Sequence, residues 1–127
     1  MQILAFTAVK LQTQDIAACE TFFTNIFDFK VTQRYGGTAN DPFDEIVMTL
    51  RGDPGVMLKF IQSERQPVAA TGATIQIRLR KIEPTMDAAL AAGATAVMAP
   101  TDYPEAGVRM AVIATDQGLD IELVQDL

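Results

Sequence analysis

The 127-residue sequence has no histidine and a single cysteine. Without histidine, the chain lacks the commonest metal ligand and the side chain that most often moves protons at neutral pH. One cysteine, Cys19, excludes an intramolecular disulfide. Cys19 lies in a helical apolar pattern, with no histidine to serve as its base. It therefore reads as a core thiol rather than a nucleophile. No apolar run approaches the roughly 20 residues needed to cross a bilayer. Met1 to Lys10 has neither the basic region nor the small-residue cleavage site of a signal peptide, so a cytoplasmic protein with no membrane partner is expected. Basic stripes are missing too. With 16 acidic against 10 basic residues the net charge is −6, which argues against nucleic acid as a partner. This acidity suits either plain solubility or a cationic ligand.

What remains is a chain 49% hydrophobic and 20% charged. Those are the proportions of a soluble globular protein, and its length fits one domain with its own core. Residues 2–10 alternate as a strand does. Asp15 is placed to cap a helix, and Ile16, Cys19, Phe23, Ile26 and Phe27 form its apolar stripe. Strands are expected at Lys30–Tyr35, Glu45–Arg51 and Val56–Gln62. Gly36–Gly37 and Asp53–Pro54–Gly55 mark the turns between them, the second as a tight hairpin turn. Residues 63–72 are small and polar, without periodicity, and read as a linker.

The pattern then restarts. Thr74–Arg80 alternates cleanly. Pro84 suits the first turn of a second helix, with Met86, Ala89, Leu90 and Ala91 as its apolar face and Gly93 as its end. Short strands are expected at Thr95–Met98, Val108–Thr115 and Leu119–Gln125. The sequence thus predicts an α+β fold of two βαβββ modules in one domain spanning 1–127. The first module covers about 1–62 and the second about 73–127. Each helix would cover one face of its sheet, leaving the other to build a curved, partly closed mixed sheet around a cleft. Open sheet edges favour pairing between chains, so a homodimer is expected.

Four segments carry a resemblance to a known family. Asp15-Ile-Ala-Ala leads through Phe22–Phe23 to Phe27-Asp-Phe-Lys-Val. Met86-Asp-Ala-Ala-Leu-Ala-Ala-Gly-Ala-Thr supplies the second helix. Pro104-Glu-Ala-Gly precedes a strand, and Gln117-Gly-Leu-Asp-Ile-Glu-Leu-Val closes the chain. In order and spacing, over nearly the whole sequence, they resemble the glyoxalase / bleomycin-resistance / vicinal-oxygen-chelate superfamily. Enzymes of that superfamily hold a divalent ion with His and Glu side chains on the inner face of the sheet. Carried over by the resemblance, the four ligand positions fall at Ala8, about Lys59, about Thr74 and Glu122. Only Glu122 is a metal ligand, and sites of this kind need three or four N/O donors. No metal and no other cofactor is expected, and glyoxalase I or extradiol dioxygenase chemistry is disfavoured.

Strand alternation puts Phe6, Ala8, Met57, Lys59, Ile61, Thr74, Gln76, Asp120, Glu122 and Val124 on the cleft side. The apolar set Ile3, Ala5, Val9, Leu58, Phe60, Ile75, Ile77, Leu79, Ile121 and Leu123 falls on the helix side. Phe6, Ala8, Met57, Lys59, Thr74, Gln76 and Glu122 are therefore candidate ligand-binding residues. Arg78 and Arg80 extend the same strand face, either for an anionic ligand or as surface charge. Tyr35, Phe43 and Tyr103 lie beside expected loops at 35–44 and 99–107, where Tyr103 could stack on a planar ligand. Lys59 and Glu122 are expected to meet, either as polar anchors of an organic pocket or as an ion pair that fills the site. Two functions fit. One is binding of a small molecule, as in drug sequestration. The other is a metal-independent lyase or isomerase of a small carbonyl compound, with Glu122 as catalytic base and Lys59 as electrophilic stabiliser.

Overall fold

A computed structural model describes residues 3–36, 43–63 and 73–127. The chain divides into two compact units, Met1–Ala69 and Ala70–Leu127. Each is a βαβββ module, so the fold is the expected α+β repeat.

In the first unit, β1 (Ala8–Gln12), β2 (Phe29–Gly36), β3 (Phe43–Leu50) and β4 (Met57–Ser63) form a mixed sheet in the order β1-β4-β3-β2. Helix α1 (Ile16–Phe27) starts where expected: Asp15 Oδ1 accepts a hydrogen bond from the Ala18 N–H at 3.0 Å. It ends at Asp28, whose left-handed backbone (φ 58°) turns the chain into β2. Cys19, Phe23 and Phe27 are the buried stripe. Phe23 is the hub, its ring 5.2 Å from that of Phe60 and 5.6 Å from those of Phe27 and Phe29. The contact with Phe60 fixes which sheet face the helix covers. Leu58, Ile46 and Met48 share that face and are buried with it.

The second unit repeats this plan. Its strands β5 (Thr74–Arg78), β6 (Thr95–Tyr103), β7 (Val108–Ala114) and β8 (Asp120–Asp126) are ordered β5-β8-β7-β6. Helix α2 (Ile82–Ala91) buries Ile82, Met86 and Ala89. The sheet face beneath contributes Ala111, Ile113, Ile121 and Leu123, all fully buried. Both helices are capped by the same device. The Ile16 N–H donates to Gln62 Oε1 on β4, and the Ile82 N–H donates to Gln125 Oε1 on β8, each at 2.9 Å. A glutamine on the last strand thus satisfies one otherwise orphaned amide at each helix start.

Several boundaries differ from the sequence reading. β1 begins at Ala8 rather than residue 2, because its partner β4 begins at Met57 and offers no ladder further back. Ile3, Ala5 and Phe6 consequently lie ahead of the sheet and are exposed. The tight turn after β3 is centred on Arg51–Gly52 rather than Asp53–Gly55. Both residues have positive φ (54° and 76°), and the Asp53 N–H donates to the Leu50 carbonyl at 2.9 Å. Leu90 and Ala91 face outward, since the helix meets the sheet through Ile82, Met86 and Ala89. β6 runs on to Tyr103, so the expected loop at 99–107 shrinks to a turn in which the Ala106 N–H donates to the Tyr103 carbonyl. Irregular pairing on either side of Met98 lets β6 accommodate Pro100. The Gly37 half of the first turn, and residues 64–72 of the linker, lie outside the described residues.

Outside the two cores, Arg34 on β2 grips Glu20 on α1 with two bonds of 2.7 Å, one to each carboxylate oxygen. This bidentate donation holds the Glu20 carboxyl below its ordinary pKa. Arg109 on β7 joins Glu83 of α2 and Asp102 of β6 at 2.8 and 2.9 Å.

Candidate functional site

The helix-free sheet faces carry the candidate residues. In the first unit, the parallel ladder pairs Ala8 with Met57 and Lys10 with Lys59. In the second, it pairs Thr74 with Asp120 and Gln76 with Glu122. Partners in a ladder point to the same face. Ala8, Met57 and Lys59 therefore share one helix-free face, and Thr74, Gln76, Arg78 and Glu122 share the other.

The repeat makes these positions equivalent in pairs. Lys59 lies three residues before the capping Gln62, and Glu122 three before the capping Gln125. Ala8 and Thr74 open the parallel edge strands of their units. The four positions that the resemblance assigned to metal ligands are thus two equivalent pairs, Ala8 with Thr74 and Lys59 with Glu122.

Their chemistry does not fit a metal centre. Ala8 has no donor atom, a protonated Lys59 has no lone pair to give, and Thr74 offers only a neutral hydroxyl. Glu122 is already engaged: Gln76 Nε2 donates to its Oε1 at 2.6 Å. Among the described residues, no group of three or more His, Cys, Asp or Glu side chains is placed to hold one ion. A single half-engaged carboxylate falls short of the donors that zinc or nickel needs.

The other candidates fall as follows. Tyr103 lies on the helix-free face of the second sheet, opposite Val108, and its hydroxyl donates to Met98 Sδ at 3.6 Å. Arg78 is exposed and 3.7 Å from Asp126 on the same face, so its charge is partly matched. Phe6 precedes β1 and stands 74% exposed, off the ladder that holds Ala8. Tyr35, next to last in β2, pairs with Glu45. Lys59 belongs to the first unit and Glu122 to the second, and each is described within its own sheet.

The sequence reading missed two polar residues beside Lys59. Glu45 and Thr49 lie on β3, on either side of Val47, which pairs with Lys59. Both are buried, although polar. Glu45 Oε1 is 2.6 Å from Lys10 Nζ. Thr49 Oγ1 is buried with no hydrogen-bond partner among the described residues. The signal was available: Glu45, Val47 and Thr49 alternate with Ile46 and Met48, and the apolar pair marks the helix face. Only the three-strand register shows that the polar set adjoins Lys59.

An α+β chain of two βαβββ units with these sheet orders defines a paired-module fold known from many solved structures. The chain belongs to the Glyoxalase/Bleomycin resistance protein/Dioxygenase superfamily, which it matches over residues 4–123. A glyoxalase family protein from Bacillus cereus superposes with a TM-score of 0.81 at 16% identity, covering 100% of this chain and 97% of that one. TnmS3, an antibiotic binding protein from Streptomyces sp. CB03234, gives 0.75 at 15% identity, with 100% and 99% coverage. TioX from Micromonospora sp. ML1 gives 0.69 at 17% identity, with 97% and 99% coverage. Identities this low establish a shared fold. Among curated proteins, none matches the sequence significantly.

Proposed function

We propose that this protein binds a small organic molecule on the helix-free faces of its sheets without using a metal ion, and so sequesters it. The observation that carries the reading is the side-chain set at the four equivalent positions. Ala8, Lys59, Thr74 and Glu122 lack the donors for a divalent-ion site, yet three of the four are polar groups on faces that also carry Met57, Ile61, Val112 and Met98. A few polar anchors on an apolar surface suit recognition of a drug-sized ligand. Methionine at such a surface adapts to ligand shape. The antibiotic binding protein TnmS3 has a similar fold, which supports a drug-like ligand.

A homodimer is part of this proposal, because each sheet ends in edge strands (β1 and β2, β5 and β6) that can add a partner strand. No described helix is long and apolar enough to cross a membrane. The cytoplasmic placement remains part of the proposal.

Thermal melts with a chemically broad panel of aromatic compounds, in buffer containing EDTA, test the reading. One or more compounds should raise the melting temperature in a concentration-dependent way. A panel without any stabilising member removes it. The enzymatic alternative, with Glu122 as base and Lys59 as electrophile, makes a separate demand. It requires that Glu122→Gln abolish turnover of a small carbonyl compound while leaving its binding intact.

A further inference from the structure

Three observations on the helix-free face of the first sheet converge. First, Thr49 is only 5% exposed, and its hydroxyl has no hydrogen-bond partner among the described residues. Buried hydroxyls are almost always bonded, because leaving one unpaired forfeits its interaction with water. Second, Glu45, four residues before Thr49 on β3, is 6% exposed and is paired with Lys10 at 2.6 Å. Third, Lys59 lies on β4 opposite Val47, between those two positions, and among the described residues neither a hydrogen bond nor an ion pair engages its ammonium. Because Lys10 already compensates the one carboxylate on this patch, the charge of Lys59 is left over. Met57, Ile61 and Val47 provide the apolar surround.

From this we infer a ligand class. The geometry points to a site for the carboxylate of a small aromatic or aliphatic acid, with the Lys59 ammonium as its counter-charge and the Thr49 hydroxyl as a second donor. Diagonal neighbours on adjacent strands lie roughly 7–8 Å apart at their Cα atoms, and the lysine arm spans that gap. One carboxylate can therefore take both donors, one on each oxygen. The Lys10–Glu45 pair sets the boundary: it fills the far end of the patch with matched charge and keeps Glu45 from repelling the incoming anion. The uncompensated Lys59 charge then selects against amides, which carry no charge, and against amines, whose cations it repels. This inference rests on the metal-independent binding reading and narrows it from any organic molecule to an acidic one.

The test uses the full chain in EDTA and a matched panel of arenecarboxylic acids of one to three rings, each with its primary amide and its aminomethyl analogue. Binding is read by calorimetric titration for the wild type, Lys59→Met and Thr49→Val. At least one carboxylate should bind more tightly than its amide and amine partners. Lys59→Met should weaken it by about tenfold or more, the loss expected for a hydrogen bond to a charged group. Thr49→Val should weaken it several-fold without lowering the melting temperature of the ligand-free protein, since it removes an unpaired hydroxyl at constant shape. A lower melting temperature would instead mark Thr49 as a structural hydroxyl and overturn its role as a ligand donor. If amides or amines bind as well as the acids, or Lys59→Met has no effect on binding, the inference is overturned while ligand binding stands. If no compound of any class binds, both fall.

Discussion

Gln76 and Glu122 face each other across the parallel β5–β8 ladder, and the amide nitrogen of the first donates to the carboxylate of the second at 2.6 Å. The residue beside Glu122 is thus a neutral donor that occupies one of its carboxylate oxygens. The carboxylate is held as a hydrogen-bonding group on a sheet surface.

Replacing Gln76 should accordingly cost little stability. Gln76→Met is expected to destabilise by about 1 kcal/mol or less, because the bond is exposed and exchanges with water. The same change on a Glu122→Gln background should cost still less, since the charge assistance is gone. Urea unfolding of the four proteins in the double-mutant cycle measures the difference.

The glutamine caps should weigh equally in both units. Gln62→Ala removes the acceptor for the Ile16 N–H, and Gln125→Ala the acceptor for the Ile82 N–H. Each is expected to lower stability by about 0.5–2 kcal/mol, the range for losing a helix-start acceptor. A large effect in one unit and none in the other would show that the two caps are not equivalent.

Much of this was readable before any coordinates. Asp15 capped the helix it was assigned, and the 74–80 and 119–125 alternation gave the face shared by Gln76 and Glu122. Asymmetric burial made these segments legible, because one apolar face leaves a period-two trace. The start of β1 was not legible: residues 2–7 alternate as well as 8–10, and only the first residue of β4 decides where pairing stops. The expected strand Thr95–Met98 runs on to Tyr103, because edge position and irregular pairing tolerate Pro100. Alternation sets Glu45 and Thr49 on the face opposite Ile46 and Met48, but only the register of β3 against β4 shows that they adjoin Lys59.

The Lys10–Glu45 pair should show the asymmetry of buried charge. Lys10→Met leaves the Glu45 carboxylate buried without its partner and is expected to destabilise by about 2 kcal/mol; the half-exposed lysine keeps the cost below that of a fully buried pair. Converting both residues, Lys10→Met with Glu45→Leu, should recover most of that loss. Chemical denaturation at neutral pH distinguishes the two variants.

Acid sensitivity should trace in part to Glu20. Arg34 lowers its pKa in the folded state from an unperturbed 4.5. A depressed carboxylate stabilises the fold above the unfolded-state value and loses that contribution as pH falls through the folded value. Stability measured between about pH 5 and pH 3 should therefore fall less steeply in Glu20→Gln than in the wild type. At pH 7 the variant should be less stable by up to about 1 kcal/mol, as expected for a partly exposed pair.

The central proposal is that the helix-free sheet faces, one carrying Lys59 and the other Glu122, serve an organic ligand and not a metal ion. Elemental analysis of protein purified without chelator and without added metal tests it most directly. The account predicts zinc, nickel, iron and manganese each well below one ion per chain. A single stoichiometric ion that is lost in Glu122→Gln would contradict it.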